Sequence, residues 1–264
     1  MNNCCICGLR SADSFEHLPA EKAFNDRRVI SYSGQGLFVP GRPVVRKQKQ
    51  RGAGATTLCE QCNNDTGTWY VPAFLEFVDQ AHRLLTRSTN TTSDYCPFHI
   101  APQPIFKQIV AMFMSACGHE FGKSNPELSR FVLNRTNALS SQRYGIYCYY
   151  YDVKNSEFTR QSGLSGMLAG GRPYVFSEIS YYPLSYIMTV GSQPPDPQLA
   201  TLNFFRDYGY NDRALVHLRI PTRAVNSPFP ADFRTASQMQ RIIKKRFDAE
   251  KGAAGNQADK RPVT

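Results

Sequence analysis

The chain has 264 residues, 41% hydrophobic and 20% charged, a balance typical of globular rather than disordered proteins. Its 31 Lys and Arg outnumber its 21 Asp and Glu, giving a formal charge of +10 that suits a polyanionic partner. No apolar run reaches the roughly 18 residues of a membrane span, and the start, MNNCCICGLR, lacks the apolar core of a signal peptide; no membrane role and a cytoplasmic location are expected.

Cysteines set the first landmark. Cys4-x-x-Cys7 and Cys59-x-x-Cys62 supply four soft ligands, enough for one tetrahedral structural zinc. A two-residue gap lets both thiolates of a pair reach one metal. Cys5 competes with Cys4, but only Cys4 has that gap to Cys7. The rival reading is an unmetallated chain with a redox CxxC; one pair would serve that purpose, and no βαβ pattern flanks either pair. A disulfide framework would need an oxidising compartment. Cys96, Cys117 and Cys148 stand alone among apolar neighbours and read as buried thiols.

Residues 9–57 are rich in Gly, Pro and charge, with extended pieces at 29–32 and 37–39. Arg42, Arg46, Lys47, Lys49 and Arg51 crowd one insertion, either as a loop on a phosphate backbone or as a solvated charge run. Thr57-x-x-Glu60 reads as a capping box that starts a helix at the second cysteine pair, with Gly67 as its stop. A knuckle, extended segments and a helix bearing the second pair make a treble-clef arrangement, with Asn63 beside the metal.

A second helix is expected at about 72–85, with Phe74, Val78, Ala81 and Leu85 on one face. Residues 87–103 read as a linker. Ile105, Ile109, Met112, Phe113 and Ala116 mark a third helix, and a short fourth opens at Pro126. The period then changes. Strands are expected at 144–153, 175–179, 184–190 and 214–220. A last helix over 231–250 turns Met239, Ile242, Ile243 and Phe247 inward, and 251–264 forms a polar tail. The tyrosines of 144–151 suit sheet packing better than base stacking.

One combination carries chemistry. Glu16-His17-x-Pro19 lies between the cysteine pairs, and Asn63 follows Cys62 directly. Phosphodiester hydrolysis needs a water, a base to deprotonate it, and a cation on the phosphate. Adjacent strand residues point to opposite faces, so Glu16 and His17 meet at one point only if the strand bulges or turns. The set Glu-His-x-Pro followed by Cys-x-x-Cys-Asn resembles the HNH endonucleases of the His-Me finger (ββα-metal) superfamily, in the zinc-stapled branch of endonuclease VII. The resemblance covers about residues 4–70.

That resemblance implies His17 as general base, Glu16 and Asn63 as ligands of a catalytic Mg or Mn ion, and a purely structural zinc at Cys4, Cys7, Cys59 and Cys62. It implies DNA as the partner, with RNA open, and roles in phage defence or mobile-element processing. One position departs: Gly54 stands where the family carries its middle Asn, which supports the loop of the His. The expected fold is therefore α+β: a zinc-bound nuclease module over 1–86, a linker, and an α+β domain over 104–250 built from helices and an antiparallel sheet, with self-association open. The alternative is a non-catalytic treble-clef module that binds nucleic acid or protein.

Overall fold

The computed structural model describes residues 2–33, 43, 45–50, 52–87, 95–169, 171–242 and 244. Strand β1 (Ser14–His17) pairs antiparallel with β4 (Gly54–Leu58), and α1 (Glu60–Trp69) follows at once. Between these strands, β2 (Val29–Ser33) and β3 (Val45–Lys49) form a separate antiparallel hairpin. The basic insertion expected as a loop is thus a strand where it is described; Arg42, Arg51 and the extended piece at 37–39 lie outside the described residues.

Two local expectations fail at β4 and α1. Thr57 does not cap a helix. It lies within β4, its carbonyl accepts the Cys5 N–H at 2.9 Å, and its hydroxyl meets that of Ser115. Sheet pairing and a tertiary partner override the capping pattern, and Cys59 is the N-cap without a side-chain bond. Gly67 does not stop the helix either: α1 continues to Trp69 and passes through Tyr70 into α2 (Val71–Arg87).

The segment expected as a linker contains β5 (Cys96–Ile100), with Phe98 and Ile100 fully buried. Its partner is β12 (Ala214–Leu218), so that strand stands apart from the large sheet. Helix α3 (Pro102–Cys117) follows, buried on every side from Pro102 to Ser115. Its one cation, Lys107, donates to the carbonyls of Phe131, Asn134 and Asn137, which accounts for its burial. The short helix expected at Pro126 is α5 (Pro126–Leu133), and a further short helix, α4 (His119–Ser124), fills the stretch before it.

The large sheet is built on β6 (Tyr144–Tyr151), β9 (Arg172–Ser180) and β10 (Leu184–Val190), antiparallel in the order β6-β10-β9. Short strands extend it: β7 (Arg160–Gln161) and β8 (Ser165–Ala169) on β9, and β11 (Ala200–Thr201) and β13 (Thr222–Arg223) on β6. Tyr144, Tyr149, Tyr150 and Tyr151 are buried, so they pack rather than offer stacking faces. The last helix begins at 236, five residues later than expected, behind a reciprocal capping box. Gln238 N–H donates to the Thr235 hydroxyl at 3.2 Å, and Thr235 N–H to the Gln238 side chain at 2.8 Å. Its expected end, with Ile243 and Phe247, and the 251–264 tail lie outside the described residues.

The chain is thus α+β. One apolar cluster runs without a break from Cys4, Leu18 and Leu58 through α2 and α3 to Tyr186 and Ile220. It joins the cysteine-bearing segment directly to the sheet.

Candidate metal centre and active site

Four sulfurs converge at the base of the β1–β4–α1 unit. Those of Cys4, Cys7, Cys59 and Cys62 all lie within 4.8 Å of one another, and Cys7 and Cys59 are 3.9 Å apart. A tetrahedral zinc with sulfurs at about 2.3 Å needs sulfur–sulfur edges of about 3.8 Å, so the donor set fits that ion. Local structure sets the four. Cys4 and Cys7 sit in a turn closed by Gly8 N–H on the Cys4 carbonyl at 2.9 Å, with Gly8 at φ 70. Cys59 caps α1 and Cys62 lies in its first turn.

The thiols themselves call for a cation. A hydrogen bond from Cys62 pulls the Cys4 thiol down to about 4. The same bond pushes Cys62 up, and burial raises Cys59. Packed this closely, one thiolate ionises at the expense of its neighbours. A dication is what lets all four coordinate as thiolates, so these cysteines could hold a metal such as zinc. Of the other cysteines, Cys148 is fully buried, whereas Cys96 and Cys117 are partly exposed.

Above the cysteines, the residues expected to act on a phosphate divide. His17 ends β1 opposite Gly54, its ring edge-on to Phe15 at 5.0 Å on the same strand face. Asn63 reaches β1 from α1. Its Nδ2 donates to the Ser14 hydroxyl at 2.8 Å and to the Phe15 carbonyl at 3.1 Å, which leaves Oδ1 as the lone-pair atom. His17 and Asn63 therefore belong to one fastened unit.

Glu16 does not join them. The strand stays regular from Phe15 to His17, so alternation sends Glu16 to the other face. Phe15 is 43% exposed and Glu16 only 5%. Burial pushes its carboxyl up to about 8, against a hydrogen bond from Ser115, and its Oε2 has no hydrogen-bond partner among the described residues. The structure thus places Glu16 inside, on the strand face opposite His17, with its carboxyl raised by burial.

Support for the His17 loop comes from a residue that sequence reasoning missed. A Cβ at Gly54 would lie 2.2 Å from the Glu16 carbonyl, so no side chain fits where the resembling family has its middle Asn. Asn25 ties the loop instead. Its Nδ2 donates to the Pro19 carbonyl at 2.6 Å and to the Ala53 carbonyl at 2.7 Å; its Oδ1 accepts the Ala53 N–H at 2.7 Å. Gly52, at φ 82, passes so close that a Cβ would lie 2.0 Å from the Asn25 carbonyl. A fully buried Asn is the signal, and burial is not visible in sequence. Replacing Asn25 with Ala should cost about 2–4 kcal/mol, because it removes three hydrogen bonds and strands buried backbone groups. Denaturant unfolding checks this; a loss below about 1 kcal/mol would refute the clamp.

Two further contacts hold this region. Lys49 on β3 donates to the Gly54 carbonyl, which brings the basic hairpin to the His17 pairing site. Gln161 on β7 donates to the Leu18 carbonyl. Lys47 and Lys49 share one face of β3 by alternation, Lys47 exposed and Lys49 partly buried. Comparison with protein-family models, with curated proteins and with solved structures returns no match.

Proposed function

We propose that the chain is a metal-dependent, HNH-type endonuclease acting on DNA, with a structural zinc on Cys4, Cys7, Cys59 and Cys62 in a treble-clef setting. One arrangement carries the reading: His17 on β1 and Asn63 on α1, fastened across a ββα unit whose base is gathered by four cysteines. In this reading His17 takes the proton of the attacking water. Asn63 turns its Oδ1 outward because β1 occupies its Nδ2, and so offers a hard ligand. A Mg or Mn ion bound there would neutralise charge on the phosphate and the leaving oxygen. With Glu16 inside, its remaining ligands would come from phosphate and water, as Mg sites commonly allow.

The β2–β3 hairpin supplies the grip. Each phosphate contact adds close to one unit to the slope of log affinity against log salt. Replacing Arg46, Lys47 and Lys49 together by Gln should flatten that slope by roughly two to three units on duplex DNA and leave zinc content unchanged. An unaltered slope would show the hairpin to be solvated only.

The position of Glu16 favours a second reading, a zinc module that binds nucleic acid without cutting it. Supercoiled plasmid and a structured RNA, incubated with the zinc-loaded protein and added Mg or Mn, separate the two. Metal-dependent cleavage of the plasmid supports the nuclease; cleavage of RNA alone replaces its substrate. Retarded mobility with no cleavage of either supports the second reading.

A further inference from the structure

A cavity of about 920 Å³ opens on the far side of the Asn25 clamp. Four chain segments enclose it: the turn between β1 and β2, helix α2, the end of β6 and the β9–β10 connection. Its volume lies within the range of small-molecule sites.

One wall is a fixed aromatic cluster. His82 Nδ1 is 2.6 Å from the Tyr182 hydroxyl. The Phe24 ring lies 4.7 Å from the His82 ring, tilted by 39°, and 5.4 Å from Tyr182, edge-on. Phe24 adopts φ 64, a region that non-glycine residues seldom occupy. The ring contacts and the adjacent Asn25 bonds hold it there. These rings are fixed before any ligand arrives, so stacking on them costs little ordering entropy.

The rim is cationic. Arg27 and Lys154 both line the cavity, both are exposed, and neither is ion-paired among the described residues. The Arg27 charge is felt at Tyr181 and Tyr182, against the larger effect of burial and, at Tyr181, of the neighbouring Asp26 carboxylate. Asp152 is the acidic residue of the lining. Its Oδ1 accepts the N–H groups of Lys154 and Asn155, and its Oδ2 the Asn155 amide, so its oxygens are engaged within its own turn.

We infer that this cavity binds a nucleotide, with the base against Phe24, His82 and Tyr182 and the phosphate between Arg27 and Lys154. A flat π-system suits the rings, and an adjacent anion suits the rim. A purely apolar ligand would leave the cations without a role, and a free inorganic anion would leave the ring wall unused. The base and its phosphate can come as a free nucleotide or as an unpaired nucleotide in a strand. This site is separate from His17 and Asn63, and the inference holds whether or not the chain cleaves nucleic acid.

The fluorescent base 2-aminopurine reads stacking as quenching. Two probes are titrated with the full chain: 2-aminopurine riboside 5′-monophosphate, and a single strand of about eight nucleotides carrying one such base. Quenching of the monophosphate assigns the site to a free nucleotide, and quenching of the strand alone assigns it to an unpaired base. The double variant Arg27→Gln, Lys154→Gln should weaken either by about tenfold or more, and the uncharged nucleoside should bind worse by a similar factor. Tyr182→Ala should remove most of the quenching. The Gln variant of the β2–β3 hairpin should leave monophosphate binding unchanged, which separates this cavity from a phosphate-tracking surface. Absence of quenching with both probes would overturn the inference. So would equal quenching in the double variant with its melting temperature intact.

Discussion

Replacing Cys59 with Ser should release the metal and lower the melting temperature by roughly 10–20 °C, a loss on the order of 5 kcal/mol. The four sulfurs converge from a turn at residues 4–7 and from the start of α1, two pieces also joined by the Cys5 N–H on the Thr57 carbonyl. Without the cation, four crowded thiols replace one coordination sphere, with Cys62 held toward its protonated form by the bond to Cys4 and Cys59 by burial. The effect should spread beyond residues 1–70, because Cys4, Cys59 and Cys62 belong to the same apolar cluster as α3. Elemental analysis of protein purified without chelator, with thermal melts of both forms, checks this. A wild-type protein free of zinc with an unchanged melt in the variant would dispose of the metal centre.

Replacing His17 with Ala should slow plasmid cleavage by about 10²–10⁴-fold while zinc content and melting behaviour stay close to wild type. The residue ends a strand, half-buried, with its ring edge-on to the exposed Phe15. Glu16→Gln tests the ligand role of Glu16 in parallel. An interior acid that is already largely protonated should tolerate the amide, with activity and apparent Mg affinity within a few-fold of wild type. Single-turnover rates across a Mg titration distinguish the two variants. If Glu16→Gln loses activity and excess Mg restores it, Glu16 is a metal ligand after all. If His17→Ala cuts at the wild-type rate, the base lies elsewhere.

Features written into neighbouring residues were legible in the sequence. The cysteine spacing foretold the sulfur cluster, because a CxxC brings two thiols together with no help from the rest of the chain. The apolar period of 74–85 foretold α2, and the β-branched and aromatic run at 184–190 foretold β10. Alternation also warned that Glu16 would face away from His17 unless the strand broke, and it did not break. What failed depended on distant partners. Thr57 obeys a capping rule locally but meets Ser115 and pairs in a sheet. β5 looked like a linker because its pairing partner, β12, lies more than a hundred residues onward. Asn25 gave no sign, since its three bonds exist only once residues 19 and 53 have come together.

Helix α3 has no outward face, and this bears on how such a chain can be inherited. Its Ser115 meets Thr57 on β4, while the same helix packs against β9 and β10. The cysteine-bearing segment therefore has no sealed underside of its own. A recombination crossover anywhere between 87 and 102 would not exchange one module for another. It would strip the lining from both products at once and expose Phe74, Phe77 and Phe113 to water. Any ancestor that carried the ββα unit alone must have closed that surface with something else, and the helix that closes it now is bound to descend with the residues it covers.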